Sequence, residues 1–136
     1  MVMVHCHGVF SNLHYGHLKH LERARSMGDR LWVTITADRY VRKPDRQPEQ
    51  QRYEMLKALR CVDLVTIIYA FGAEEAIKAV CPNVYVKGKE YEGRLPEQQL
   101  VESLGGRVAF TYDAIGSTIK TTDLLALGLV GKGINA

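Results

Sequence analysis

The sequence predicts a doubly wound α/β fold, a parallel sheet of five strands with helices on both faces. Three observations carry that expectation. Short segments rich in Val, Ile and Leu alternate with helix-patterned segments five times along 136 residues. The strand segments are short, mostly apolar runs, the pattern of strands covered on both faces. Successive strands are separated by helical crossovers, and right-handed crossovers build an open, doubly wound sheet.

The elements follow in order. "MVMVHCHGVF" (residues 1–10) reads as the first strand, ending near Gly8. Residues 16–27 read as a helix with Leu18, Leu21 and Ala24 on one stripe. Arg23 and Arg25 lie in its last turns, and Gly28 stands where a C-cap glycine belongs. "RLWVTITA" (30–37) is the second strand, bounded by Asp38, and residues 39–47, "RYVRKPDRQ", form a basic loop. Pro48 then opens the helix "PEQQRYEMLKAL", with proline at a first helical position and Glu49 at the positive end of the dipole. "DLVTIIY" (63–69) is the third strand, "AEEAIKAV" a short helix and "NVYVKG" (83–88) the fourth strand. "PEQQLVESLGG" is again opened by proline and closed by glycine. "RVAFTY" (107–112) is the fifth strand, and "STIKTTDLLAL" a last helix with Ser117 as its N-cap. The architecture is Rossmann-like.

Length and composition narrow the class. The chain fits one domain, expected over residues 1–129, with a glycine-rich tail over 130–136. No apolar run approaches the roughly 20 residues of a membrane span. The N-terminus lacks the pattern of a signal peptide. A cytoplasmic location without membrane association is therefore expected. Three scattered cysteines with no C-x-x-C pair predict free thiols. A net charge of +3 suits an anionic small molecule and is too weak and dispersed to argue for nucleic acid.

In a doubly wound sheet the ligand sits at the carboxyl ends of the strands, where strand order reverses. The first strand leads there into Gly8, Val9, Phe10 and then "HYGHLKH", which holds three of the five histidines. A helix starting near Gly16 presents backbone N–H groups and a positive dipole end, which attract phosphate. His14 and His17, at i and i+3, project to one side of that end, and Gly16 leaves room for a phosphate to approach. His20 lies one turn further in and reads as a polar residue on an exposed helix edge. Zinc bound by His14, His17 and His20 is the competing chemistry, but H-x-x-H without an intervening Glu supports it weakly. "HCH" (5–7) is divided by strand alternation, His5 and His7 to one face and Cys6 to the other, in the core.

At this point the motifs become recognisable. H-x-G-H after a first strand, then L-x-x-A-R-x-x-G-D-x-L-x-V, resembles the cytidylyltransferase-like nucleotidyltransferases. "GDRLWVTITADRYVRK", "PEQQRYEMLKALRCVDLV", "PNVYVKGKEY" and "GSTIKTTDLL" are similar to later motifs of that family, in the same order. The likeness covers about residues 4–127, and "VKGKEY" leans toward the sugar-phosphate branch.

The resemblance implies transfer of a nucleotidyl group from ATP or CTP to a phosphorylated acceptor, with Mg²⁺ accompanying the triphosphate and pyrophosphate released. It implies catalytic roles for His14, His17 and Lys43. It implies nucleotide contacts from Gly8, Val9, Phe10, Gly16, Asp38, Arg52, Lys87, Gly88, Ser117 and Thr118, with no protein-held metal. Asp38 would orient nucleotide or metal, and Arg52 would face the cleft. Relatives of this family often form homodimers. The chain departs from many of them at Ser11, where they carry aspartate. A non-catalytic nucleotide-binding module of a larger sugar-kinase or synthase system is the alternative of another class.

Overall fold

The computed structural model describes residues 1–112, so the expected last helix with Ser117 and Thr118 and the tail lie outside the described residues. Five parallel strands form one sheet: β1 (Met3–Gly8), β2 (Arg30–Thr36), β3 (Leu64–Ile68), β4 (Val84–Gly88) and β5 (Arg107–Thr111). Their spatial order is β3-β2-β1-β4-β5. Strand order therefore reverses beside β1, and the crevice between β1 and β4 is the switch point.

Four helices connect the strands: α1 (Tyr15–Arg25), α2 (Glu49–Lys57), α3 (Glu74–Val80) and α4 (Gln98–Ser103). Strand alternation assigns them to faces. Val4, Cys6, Leu31, Val33, Ile35, Val84 and Val86 point one way and pack with Leu21 and Ala24 of α1 and Leu56 of α2. Tyr85 points the other way and packs with Ala73, Ile77 of α3 and Val101 of α4. Cys6 is fully buried among apolar side chains, as its place in the alternation predicts, and burial pushes its thiol up to about 12.

Two helix ends differ from the sequence reading. α1 stops at Ser26 in a right-handed conformation, so Gly28 is not its C-cap. A Cβ on Gly28 would lie 2.6 Å from Val4 Cγ2 and 2.8 Å from the Val2 carbonyl, so glycine there permits close approach of backbone to the first strand. Pro48 is the N-cap of α2 rather than its first helical residue. α4 is shorter than its motif and is followed by Gly105 at φ +89°, a conformation that favours glycine.

Candidate active site

The carboxyl end of β1 runs into a tightly built loop. Phe10 (φ 52°) and Asn12 (φ 53°) both adopt the left-handed region, at a cost of about 1 kcal/mol or more each. Packing and hydrogen bonds hold them there. The Phe10 ring folds back over Gly8, where a Cβ would meet it at 3.0 Å, and lies perpendicular-like against His17 with centroids 5.9 Å apart. The Asn12 N–H donates to Gln47 Oε1 (2.8 Å), and the Gln47 N–H donates to Ser11 Oγ (2.8 Å). Ser11 thus ties the first loop to the end of the basic loop.

The two histidines of H-x-G-H cap α1 reciprocally. The Gly16 N–H donates to His14 Nδ1 (2.9 Å), and the His14 N–H donates to His17 Nδ1 (3.1 Å). Ordinarily Ser or Asp caps a helix with an oxygen, and Glu or Gln reaches back from N3. Here two imidazoles do both, with ring centroids 4.1 Å apart. The consequence is chemical. Each Nδ1 is an acceptor, so each neutral ring carries its proton on Nε2 and has one N–H left to donate. Burial, then the neighbouring His14 and His20, lower the His17 pKa to about 4, so it works as a neutral donor at neutral pH. The Gly16 N–H, expected to be open to phosphate, is instead committed to this cap.

A cavity of about 530 Å³ opens at the carboxyl ends of β1, β2 and β3. Val9, Phe10, Ser11 and His17 line one side, Thr36 the end of β2, and Arg42, Lys43, Asp45 and Arg46 the basic loop. Tyr40, Val41, Phe71 and Gly72 complete it. Of the expected residues, Val9, Phe10, His17 and Lys43 come together here. His14 stacks behind His17 and does not line the cavity. Sequence reasoning missed Phe71, although the rule that finds the β1 and β2 loops applies equally to the loop after β3.

Asp38 and Arg52 have a different place from the one the resemblance implies. Arg52 is fully buried. Its Nε donates to the Gln47 carbonyl (2.8 Å), and Nη1 to the carbonyls of Val9 (2.9 Å) and Thr36 (2.8 Å). Its Nη2 pairs with Asp38 Oδ1 (2.8 Å). Arg46 Nε forms an ion pair with Asp38 Oδ1 at 3.2 Å, while Asp38 Oδ2 accepts the Glu49 N–H and Glu49 Oε1 accepts the Asp38 N–H. Burial by itself would raise the Asp38 pKa, but the Arg52 hydrogen bond, the Glu49 N–H and the charges of Arg46 and Arg52 hold it below the ordinary carboxylate range. The pair is a clasp that closes the basic loop at its base and fixes the ends of β1 and β2. Arg52 is closed off from the cleft by these bonds, while Asp38 keeps a 28% exposed side chain and is held in the clasp through both carboxylate oxygens.

On the other side of β1, Lys87 lies over the crevice. Its Nζ donates to the His7 carbonyl (3.2 Å) and stands 5.0 Å from the centre of the Tyr91 ring. Burial lowers its pKa, against the raising influence of Glu97, Cys6 and Glu90. Gly88 is buried, and the Glu90 carboxylate lies 2.5 Å from where a Cβ would stand. Lys87 and Gly88 are therefore at the switch point, outside the large cavity.

The third histidine of the motif is not on an exposed edge. His20 Nδ1 lies 2.9 Å from Thr111 Oγ1, at the end of β5, and its Nε2 lies 3.9 Å from Cys6 Sγ. Burial, followed by the Lys87 charge, lowers its pKa to about 4, with Glu90 opposing. A helix face that packs against the sheet half-buries it, which a three-residue spacing alone does not reveal. The three histidines do not converge, and among the described residues no group of three His, Cys, Asp or Glu side chains is arranged to hold a metal ion.

Comparison with known proteins agrees with this architecture. The cytidylyltransferase-like family model matches residues 5–124. The chain belongs to the cytidylyltransferase-like family. Within it, the chain is 38% identical over 124 residues to the D-beta-D-heptose 1-phosphate adenylyltransferase of Bordetella bronchiseptica, covering 85% of this chain and 76% of that protein. It is 41% identical over 130 residues to the bifunctional protein HldE of Pelobacter propionicus, covering 90% of this chain and 26% of that protein. The chain thus spans about a quarter of the length of such bifunctional relatives. Among solved structures, the lipopolysaccharide core biosynthesis protein of Thermoplasma volcanium matches with a TM-score of 0.68 and 27% identity, over 81% of this chain and 93% of that one. The nucleotidyltransferase reading of the motifs and the family match agree. No helix among the described residues is long and apolar enough to cross a membrane.

Proposed function

We propose that this chain transfers the adenylyl group of ATP to a sugar 1-phosphate and releases pyrophosphate. The observation that carries the reading is His17, oriented by its reciprocal cap with His14 at the carboxyl end of β1, with Lys43 lining the same cavity. The relative named as a heptose 1-phosphate adenylyltransferase supports ATP as donor and a sugar phosphate as acceptor.

The chemistry is an in-line displacement. An ionised oxygen of the acceptor phosphate attacks the α-phosphorus, the bond from that phosphorus to the bridging oxygen breaks, and pyrophosphate leaves with the electron pair. The attacking oxygen is already ionised, so the protein needs no general base. Its work is positioning and charge stabilisation. The Nε2–H groups of His14 and His17 donate to phosphate oxygens as charge moves to the leaving group. Lys43 acts as a compact cation on the phosphates. Gly8, Val9 and Phe10 shape the floor, and Lys87 with Gly88 borders the nucleotide at the switch point. Ser117 and Thr118 are assigned to the triphosphate through their motif.

Mg²⁺ is proposed to enter with the triphosphate, screening its charge. The donor chemistry fits that arrangement: Asp38 is held by Arg52 and Arg46, and Ser11 replaces the acid of many relatives. We further propose a cytoplasmic homodimer, which light scattering of the purified chain and localisation of a tagged chain would test.

Pyrophosphate release should be measured over four nucleoside triphosphates and a panel of sugar phosphates. Turnover is expected with ATP and a sugar 1-phosphate. Nucleotide binding without turnover for any pair would instead establish the non-catalytic module. The chain's recurrence within longer bifunctional proteins gives that alternative its only support.

A further inference from the structure

The large cavity lies on the β2–β3 side of His17, away from the β1–β4 crevice. A doubly wound sheet receives its nucleotide at the switch point, which leaves the β2–β3 side for the other substrate. That side has two chemically distinct walls. One is the basic loop with Arg42, Lys43 and Arg46. The other is aromatic: Phe71, 59% exposed although it is a large apolar side chain, and Tyr40, perpendicular to it with centroids 4.9 Å apart. What distinguishes Phe71 from other exposed apolar side chains is its place: it lines the cavity and its ring is held in position by Tyr40.

We infer that Phe71, braced by Tyr40, is the specificity-determining platform for the sugar ring of the acceptor. The inference rests on the proposed sugar-phosphate reading. The aromatic ring offers a flat apolar face to the C–H groups of a pyranose, while the adjacent cations take its phosphate. Arg42, whose guanidinium carbon lies 5.4 Å from the Phe71 ring centre, links the two walls. Asp45 supplies a carboxylate in the same cavity that can accept bonds from sugar hydroxyls. The separation matters: the phosphate is common to all acceptors, so the aromatic wall distinguishes a sugar phosphate from a smaller phosphate ester.

The test is steady-state kinetics of the full chain with ATP and the best sugar 1-phosphate of the panel. Phe71→Ala should raise KM for the sugar phosphate about tenfold or more, with KM for ATP moving less than about twofold. Inhibition by methyl phosphate, which has the phosphate without the ring, should be unchanged. Phe71→Tyr should restore the wild-type KM, and Phe71→Leu, apolar but not flat, should not. A larger effect on KM for ATP would make the wall a base platform and overturn the inference, as would no effect on either KM. Failure of the wild-type chain to turn over any sugar phosphate would defeat the functional reading itself, and this inference with it.

Discussion

Two histidine pairs on one stretch of chain meet opposite fates. His5 and His7 lie within β1, and His14 and His17 open the next helix. His5 Nε2 lies 2.7 Å from Thr34 Oγ1, and His7 joins Thr34 (2.8 Å) and Thr36 (3.3 Å) through its two ring nitrogens. Burial lowers the pKa of His5 to about 3 and of His7 to about 4, with like charges nearby adding to the effect. Both pairs contain a histidine kept neutral, yet only the second lies where the sheet opens. His7 has both ring nitrogens within reach of threonine hydroxyls, and His5 lies inside the sheet. His14 and His17 each have one nitrogen on the backbone and one remaining. His5 also keeps one nitrogen, Nδ1, without a partner, but that atom is buried. Neither desolvation nor a spare nitrogen alone marks a functional histidine, whereas a spare nitrogen at the open end of the sheet does.

The largest expected effect separates the pairs by activity. His17→Ala should reduce turnover roughly a hundredfold or more, as for loss of one charge-stabilising donor, with the fold intact by circular dichroism. His14→Asp sharpens this, because aspartate can still cap α1 but has no N–H to donate: turnover should fall while the melting temperature stays near wild type. Retained turnover in both variants would show that the cap, not the donors, is what the motif provides.

His5→Ala should do the reverse. It leaves a cavity in the sheet and the Thr34 hydroxyl short of a partner, costing roughly 2–3 kcal/mol in denaturant melts, with kcat close to wild type. A loss of kcat larger than the loss of stability would place His5 in the catalytic machinery and break the contrast.

Stability should also depend on pH, through His5 and His7 of the first pair, His17 of the second, and His20. Between pH 6.5 and about 4 the unfolded chain binds protons at His5, His7, His17 and His20, while the folded chain does not. Their neutral burial is therefore fully tolerated above pH 6.5, and stability falls as pH drops through that window. Melting temperatures from pH 8 to 4 should show the decline, and His5→Asn should make its slope shallower. A flat profile would mean that these histidines are solvated.

The sequence by itself determined the strand–helix alternation, the position of the first strand's carboxyl end and the H-x-G-H motif. All three are local: hydrophobic period, punctuation by Gly and Pro, and residues three apart on one turn. The roles of Val9, Phe10 and Lys43 as neighbours in one cavity were legible once the fold was known, because each follows a strand at the same end of the sheet. Tertiary structure alone decided the rest. Arg52 and Asp38 are charged, and their sequence neighbourhood is compatible with a ligand contact or with a buried clasp; only the arrival of the Val9, Thr36 and Gln47 carbonyls from other segments selects the clasp. His20 is placed by β5, 91 residues away from it in sequence. Phe71 acquires meaning only when the β3 loop meets the basic loop. In each case a deciding partner comes from another element, and periodicity along one segment carries no information about what packs against it.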